Sequence, residues 1–244
     1  MTLVGRAVLP TAVALFEGAS EDTVRALRAA VDFTLTALPR VDSFVLLAAG
    51  HEALVHDASG ASLSQRGLPD VRAELRHDEE LLGALTSRGQ IPRVRDDWLA
   101  GDLAALALLV STVQPDACVQ PVTVPRGAGR QALEATAAGI IGAARATQRR
   151  IALVASGDLA RRRGADDLAA AIAWDQAAVT AVAGNDLDAF SELGPAAATV
   201  HGAAGWAPLT VLLTAAAGRA PFPAVEHHVV DGAGRLVASE AATA

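Results

Sequence analysis

A serine, an aspartate and an arginine stand within six residues of one another where an apolar run breaks off: residues 151–158 read IALVASGD, and Arg161 follows. Ser156 carries a hydroxyl, Asp158 a carboxylate, and Arg161 a permanent positive charge suited to an anion. A short apolar run that stops at a small-residue turn and lacks helical amphipathicity reads as a strand buried on both faces. In open α/β sheets ligands bind just outside the carboxyl ends of the strands. Ser156, Asp158 and Arg161 are therefore expected beside a site. The cluster Arg161-Arg162-Arg163 has two readings, both open here. It holds a carboxylate or phosphate, or it pairs on the surface with Asp166 and Asp167.

Other motifs fail on inspection. A hydrolase nucleophile elbow requires glycine two residues before the serine, and position 154 is valine. Gly127-Ala128-Gly129 lacks the third glycine of a dinucleotide fingerprint, since Ala132 stands there. A phosphate loop needs lysine, and the chain has none. The six histidines are His51, His56, His77, His201, His227 and His228, none in a local zinc-binding pattern. His227 and His228 adjoin Glu226 in an expected strand, where neighbours face opposite ways, so an edge role suits them. His51 follows Gly50 at the end of an expected strand and is either a site residue or a loop hydrogen-bonder.

The elements that must position these residues alternate between strand and helix. Leu3–Leu9 reads as a first strand closed by Pro10-Thr11, and Ser20-Glu21-Asp22 as the start of a helix reaching about Leu38. Ser43–Ala48 is a second strand; residues 52–69, polar and rich in Gly and Ser, read as a surface loop. Residues 71–85 read as a strand turning into a helix, Leu99–Val113 as an apolar helix, Ala117–Val124 as a strand and Gly129–Thr147 as an amphipathic helix. After the strand at Ile151 comes a polar, arginine-dense loop, then helices over Asp167–Ala183, Asn185–Leu193 and Ala204–Ala217, with Pro208 in a first turn. Two short strands, 224–231 and 235–239, close the chain. The pattern predicts one three-layer α/β/α domain over 1–244 with a mixed central sheet.

Composition sets outer bounds. The 244 residues are 52% hydrophobic, enough for an ample core, and the formal charge of −7 argues against a nucleic-acid partner. A single cysteine, Cys118, excludes an internal disulfide and fits a reducing compartment. The apolar run near the N-terminus is broken by Pro10 and followed by Glu17, so it reads as a core strand rather than a secretion signal. No stretch approaches the roughly 20 apolar residues of a membrane span. A cytoplasmic protein without a membrane partner is expected.

Four segments, in order, are similar to the class III extradiol ring-cleavage dioxygenase superfamily, which includes the Memo-like proteins. They are Leu9-Pro10-Thr11, where the family has Pro-His-Pro; Gly50-His51; Ser156-Gly157-Asp158-Leu159-Ala160-Arg161, against Ser-Gly-Asp-Leu-Ser-His; and Ala204-Gly205-Trp206-Ala207-Pro208. The resemblance implies the family's α/β fold and a site that elsewhere holds Fe(II) on two histidines and a carboxylate, with a further histidine as acid/base. Residue by residue, Thr11 stands at the first ligand position, His51 is kept at the second, Ala204 has no ligand atom at the third, and Arg161 replaces the acid/base. His201, Glu226 or His228 would have to compensate. The implied reading is a divergent member without iron-dependent ring cleavage, keeping a pocket for a small organic ligand, anionic if Arg161 faces it. Asp158 and Arg161 are its candidate catalytic residues; Thr11, His51, Ser156, Arg161 and His201 are its candidate ligand contacts. No cofactor is expected on this reading. Two readings stand beside it: an active oxygenase with Fe(II) on a site rebuilt around His51, and a non-catalytic subunit or homo-oligomer using apolar helices such as Leu99–Val113.

Overall fold

Four apolar runs form the parallel centre of the sheet: β1 (Leu3–Leu9), β2 (Ser43–Gly50), β6 (Cys118–Pro125) and β7 (Ile151–Ser156). They lie side by side as β6-β2-β7-β1, and all six residues of β7 are buried, as a strand covered on both faces requires. The computed structural model describes residues 2–17, 21–162 and 167–240. In the parallel register of β1 and β7, Leu9 stands opposite Ser156, so both strands end level. Antiparallel strands extend the sheet on both sides. β3 (Leu54–Leu63) and β4 (Leu68–Glu74) continue it beyond β6, and β10 (Ala233–Ser239) and β8 (Asp158–Arg161) beyond β1. β5 (Arg93–Leu99) pairs in parallel with β3, and β9 (Ala224–Val230) antiparallel with β10. The sheet is mixed and ten-stranded, with helices on both faces, an α/β fold.

Two expectations need correction. Residues 52–69 are not a surface loop: most of them form β3, where the small residues Ala58, Gly60 and Ala61 are buried between Val55 and Leu63. The polar composition hid a strand because its packing partner is supplied from elsewhere. Gly60 is in register with Trp98 of β5, and the indole occupies the space a Cβ at position 60 would need. β5 itself, reading RVRDDWL, is charged because it is an edge, where charge discourages pairing with another chain. Finally, Asp158–Arg161 is not loop but strand β8, paired with β10 through Arg235 opposite Asp158.

The helices divide between two layers. α1 (Asp22–Ala37) and α3 (Gly101–Val113) pack on one face; α2 (Glu79–Ser87), α4 (Arg130–Ala146), α5 (Leu168–Gly184) and α8 (Trp206–Ala215) contribute to the core of the other. Short helices α6 (Leu187–Glu192) and α7 (Pro195–His201) join α5 to α8. Ser20, expected as the cap of the first helix, lies outside the described residues. α8 is apolar all round and buried from Trp206 to Leu213, which is what a helix enclosed in a core requires. Among the described residues, no helix is long and apolar enough to cross a membrane.

The chain leaves β1 towards the face of α1; beyond β7 it turns at Gly157 into β8 and only then passes to the face of α5. Adjacent parallel strands whose connections part to opposite faces open a crevice at their carboxyl ends, the usual ligand position in such sheets.

Candidate functional site

That crevice is held together by Thr11 and Asp158. The Thr11 backbone N–H donates to Asp158 Oδ1 at 3.1 Å, and the Thr11 hydroxyl lies between Asp158 Oδ2 and Asp102 Oδ1, the latter at 3.0 Å. A hydroxyl has one proton, so Thr11 donates to one carboxylate at a time. Each carboxylate has its own arginine: Arg235 of β10 pairs with Asp158, and Arg66 pairs with Asp102. Arg66 also donates to the Thr11 carbonyl at 2.8 Å. It reaches there from a single 3₁₀ turn, Ser64–Arg66, terminated by Gly67 at φ 86°. Asp102 sits in the first turn of α3, where the helix dipole favours an anion.

These pairs form one wall of a cavity of about 300 Å³. Ala198, Gly202, Ala203, Ala204 and Ala207 bring only small groups to the opposite side. Gly205 makes the close approach: a Cβ there would meet the carbonyl oxygens of Ser156 and Asp158, each at 2.9 Å. Two further guanidiniums line the cavity, Arg126 just after β6 and Arg161 at the end of β8. Both are exposed, and neither has an ion pair or hydrogen bond to its side chain among the described residues. The Arg161 stem lies across Gly202, at φ 64°, where a Cβ would come within 3.3 Å of Cδ. The four arginines Arg66, Arg126, Arg161 and Arg235 face two carboxylates, so the lining is positive within a chain of net charge −7.

Of the residues singled out in the sequence, Thr11, Asp158 and Arg161 meet in this cavity. His51, Ser156 and His201 do not line it. His51 is exposed beyond β2. Ser156 is fully buried, its Oγ without a hydrogen-bond partner among the described residues. His201 packs against Trp174, ring centroids 6.4 Å apart. The arginine cluster is split: Arg161 lines the cavity, Arg162 pairs with the buried Asp175 at 3.1 Å, and Arg163 and Asp166 lie outside the described residues. Arg66, Asp102, Arg126 and Arg235 escaped the sequence reading. Only Arg126 left a usable sign, as a cation directly after a strand-ending proline.

Fe(II) does not fit these residues. The Thr11 hydroxyl is held between two carboxylates, Ala204 presents no donor atom, and Arg161 brings a positive charge. The compensating candidates are elsewhere: His228 Nε2 pairs with Glu226 at 3.1 Å, and neither lines the cavity. Among the described residues, no three His, Cys, Asp or Glu side chains form a group able to hold a metal ion.

Neither a family model nor a curated protein matches the chain. Among solved structures it is similar to the crystal structure of the uncharacterized protein JW3007 from Escherichia coli K12. The TM-score is 0.57 at 14% identity, with 96% of this chain and 98% of that chain covered. The two share a fold over almost their whole length.

Proposed function

We propose that this chain is a divergent member of the extradiol dioxygenase-like group that binds a small organic anion in the β1/β7 crevice and has lost iron-dependent ring cleavage. The observation that carries the reading is the pair Arg126 and Arg161, unpartnered among the described residues and lining a cavity whose carboxylates already have arginines of their own. An unpaired guanidinium is a ready partner for a carboxylate or phosphate, through two parallel hydrogen bonds. The volume suits a compact acid rather than a polymer. Thr11 and Arg161 stand where the resembling family has a ligand and an acid/base, and the same two changes remove metal chemistry and favour an anion.

Calorimetric titration with citrate, 2-oxoglutarate and inorganic phosphate tests the reading. At least one should bind, and Arg126→Gln and Arg161→Gln should each weaken it about ten- to a hundredfold, corresponding to the roughly 1.5–3 kcal/mol of a charge-assisted hydrogen bond. Anaerobic Fe(II) titration should show no stoichiometric uptake. Tight Fe(II) binding with oxygen uptake on a catechol would overturn the proposal in favour of a working oxygenase.

A further inference from the structure

A second compartment opens beside the first and shares Arg66, Asp102 and Arg126 with it. Its floor carries a row of three polar side chains from adjacent strands. Asp96 of β5 accepts from His56 of β3, with Oδ2 2.7 Å from Nδ1. His56 Nε2 lies 3.3 Å from Thr123 Oγ1 of β6, and that hydroxyl reaches the Glu52 carbonyl at 2.9 Å. The His56 side chain is 15% exposed and Asp96 is 37% exposed, so the pair is sheltered yet open to the compartment.

The hydrogen-bond inventory gives this row a particular property. With Asp96 accepting from Nδ1–H, neutral His56 presents a lone pair at Nε2. The Thr123 proton then turns towards Nε2. When Nε2 takes up a proton it donates instead to Thr123 Oγ1, and the hydroxyl turns to the Glu52 carbonyl. One rotating hydroxyl therefore serves both protonation states of the imidazole, and Asp96 fixes its orientation in each. The charged groups sharing the compartment are Arg66, Arg126 and Asp102, with Asp96.

We infer that His56 is a proton-transfer residue for the anion held by Arg126, which lines both compartments, and Arg161, with Asp96 positioning the imidazole and Thr123 carrying the proton between Nε2 and the anion. The inference rests on the anion-binding reading. A histidine base beside guanidiniums suits removal of a proton from carbon next to a carbonyl: the C–H electron pair moves into the enolate, the proton passes to Thr123 Oγ1 as that hydroxyl gives its own proton to Nε2, and the arginines face the oxygen that gains charge. Return of the proton to the same carbon closes the cycle, and no oxidant or second substrate is consumed. The ligand class is accordingly a 2-oxo acid.

The test is solvent exchange. Pyruvate, 2-oxobutyrate and 2-oxoglutarate are incubated with the protein in D2O, loss of the C3 proton signal is followed by NMR, and binding is measured in parallel by calorimetry. The wild type should accelerate exchange, and His56→Gln should lose the acceleration by on the order of a hundredfold while still binding the acid. Asp96→Asn leaves the imidazole in place and should slow exchange and displace its pH profile, with Asp96→Glu restoring part of the rate. Binding without accelerated exchange, or exchange unchanged in His56→Gln and Asp96→Asn, overturns this inference and leaves anion binding standing. Failure of all three acids to bind, together with citrate and phosphate, overturns both.

Discussion

Asp158 is the residue through which the site is assembled. Its carboxylate accepts from the Thr11 backbone, from the Thr11 hydroxyl and from Arg235, whose side chain is only 14% exposed. Removing one partner of a sheltered ion pair leaves the other charge uncompensated, which costs far more than a surface pair is worth. Asp158→Ala should destabilise the fold by about 3 kcal/mol, measured by urea unfolding, with Asp158→Asn costing less because shape and some hydrogen bonds persist. Thr11→His is the complementary experiment. It restores an imidazole where the resembling family has one, but His51 is not on the cavity wall and Arg161 is. Anaerobic titration of this variant should still show no stoichiometric Fe(II); uptake would mean that the site needs only that one side chain.

The elements around the site depend on closeness. Gly205 lets α8 begin directly against the backbone of Ser156 and Asp158, where carbonyl oxygens cannot yield as a flexible side chain would. Gly205→Ala should cost about 1–3 kcal/mol by overpacking and weaken anion binding as the cavity wall shifts, checked by thermal melting and calorimetry on one preparation. The long apolar or amphipathic runs were legible in the sequence because each carries its own signal: β1, β2, β6, β7 and α4 begin and end within two residues of expectation. β3 and β5 were not, because β3's small buried residues make sense only against Trp98, nearly 40 positions away. The site divided likewise. Thr11, Asp158 and Arg161 could be found because strand ends predict ligand positions. Arg66, Asp102 and Arg235 could not, since their roles come from pairing across the fold, and His56 and Asp96 fell in segments with no clear strand signal.

At the scale of the molecule, charge and connectivity govern behaviour. Arg93 hydrogen-bonds Asp57 and holds its carboxyl below the ordinary carboxylate range, against the opposing effect of burial. A group that binds protons more weakly when folded contributes stability above its unfolded pKa of about 4, and that contribution is lost as pH falls through the lower folded value. Urea unfolding at about pH 7 and about pH 3 should therefore show Asp57→Asn losing less stability on acidification than the wild type. A larger clamp joins distant parts of the chain. Arg6, 1% exposed, pairs with Glu240 at 2.8 Å, donates to Asn185 and the Ala220 carbonyl, and lies over the Phe222 ring at 3.9 Å. Burial lowers the affinity of its guanidinium for the proton, and Glu240 opposes that effect. Arg6→Ala should destabilise by about 3–5 kcal/mol, read from the same unfolding curves. The placement of β10 against β1 also fixes an order in time. β1 has β7 on one side and β10 on the other, so a ribosome must make residues 233–240 before the first strand has its second neighbour. Thr11 waits for the same strand, because Arg235, the counter-charge to its partner Asp158, lies in β10. Until β10 has been made the nascent chain exposes an unfinished strand edge at β1, so the time it needs a chaperone should be set by the pairing of that strand, and a ligand should meet the finished site only after β10 has docked.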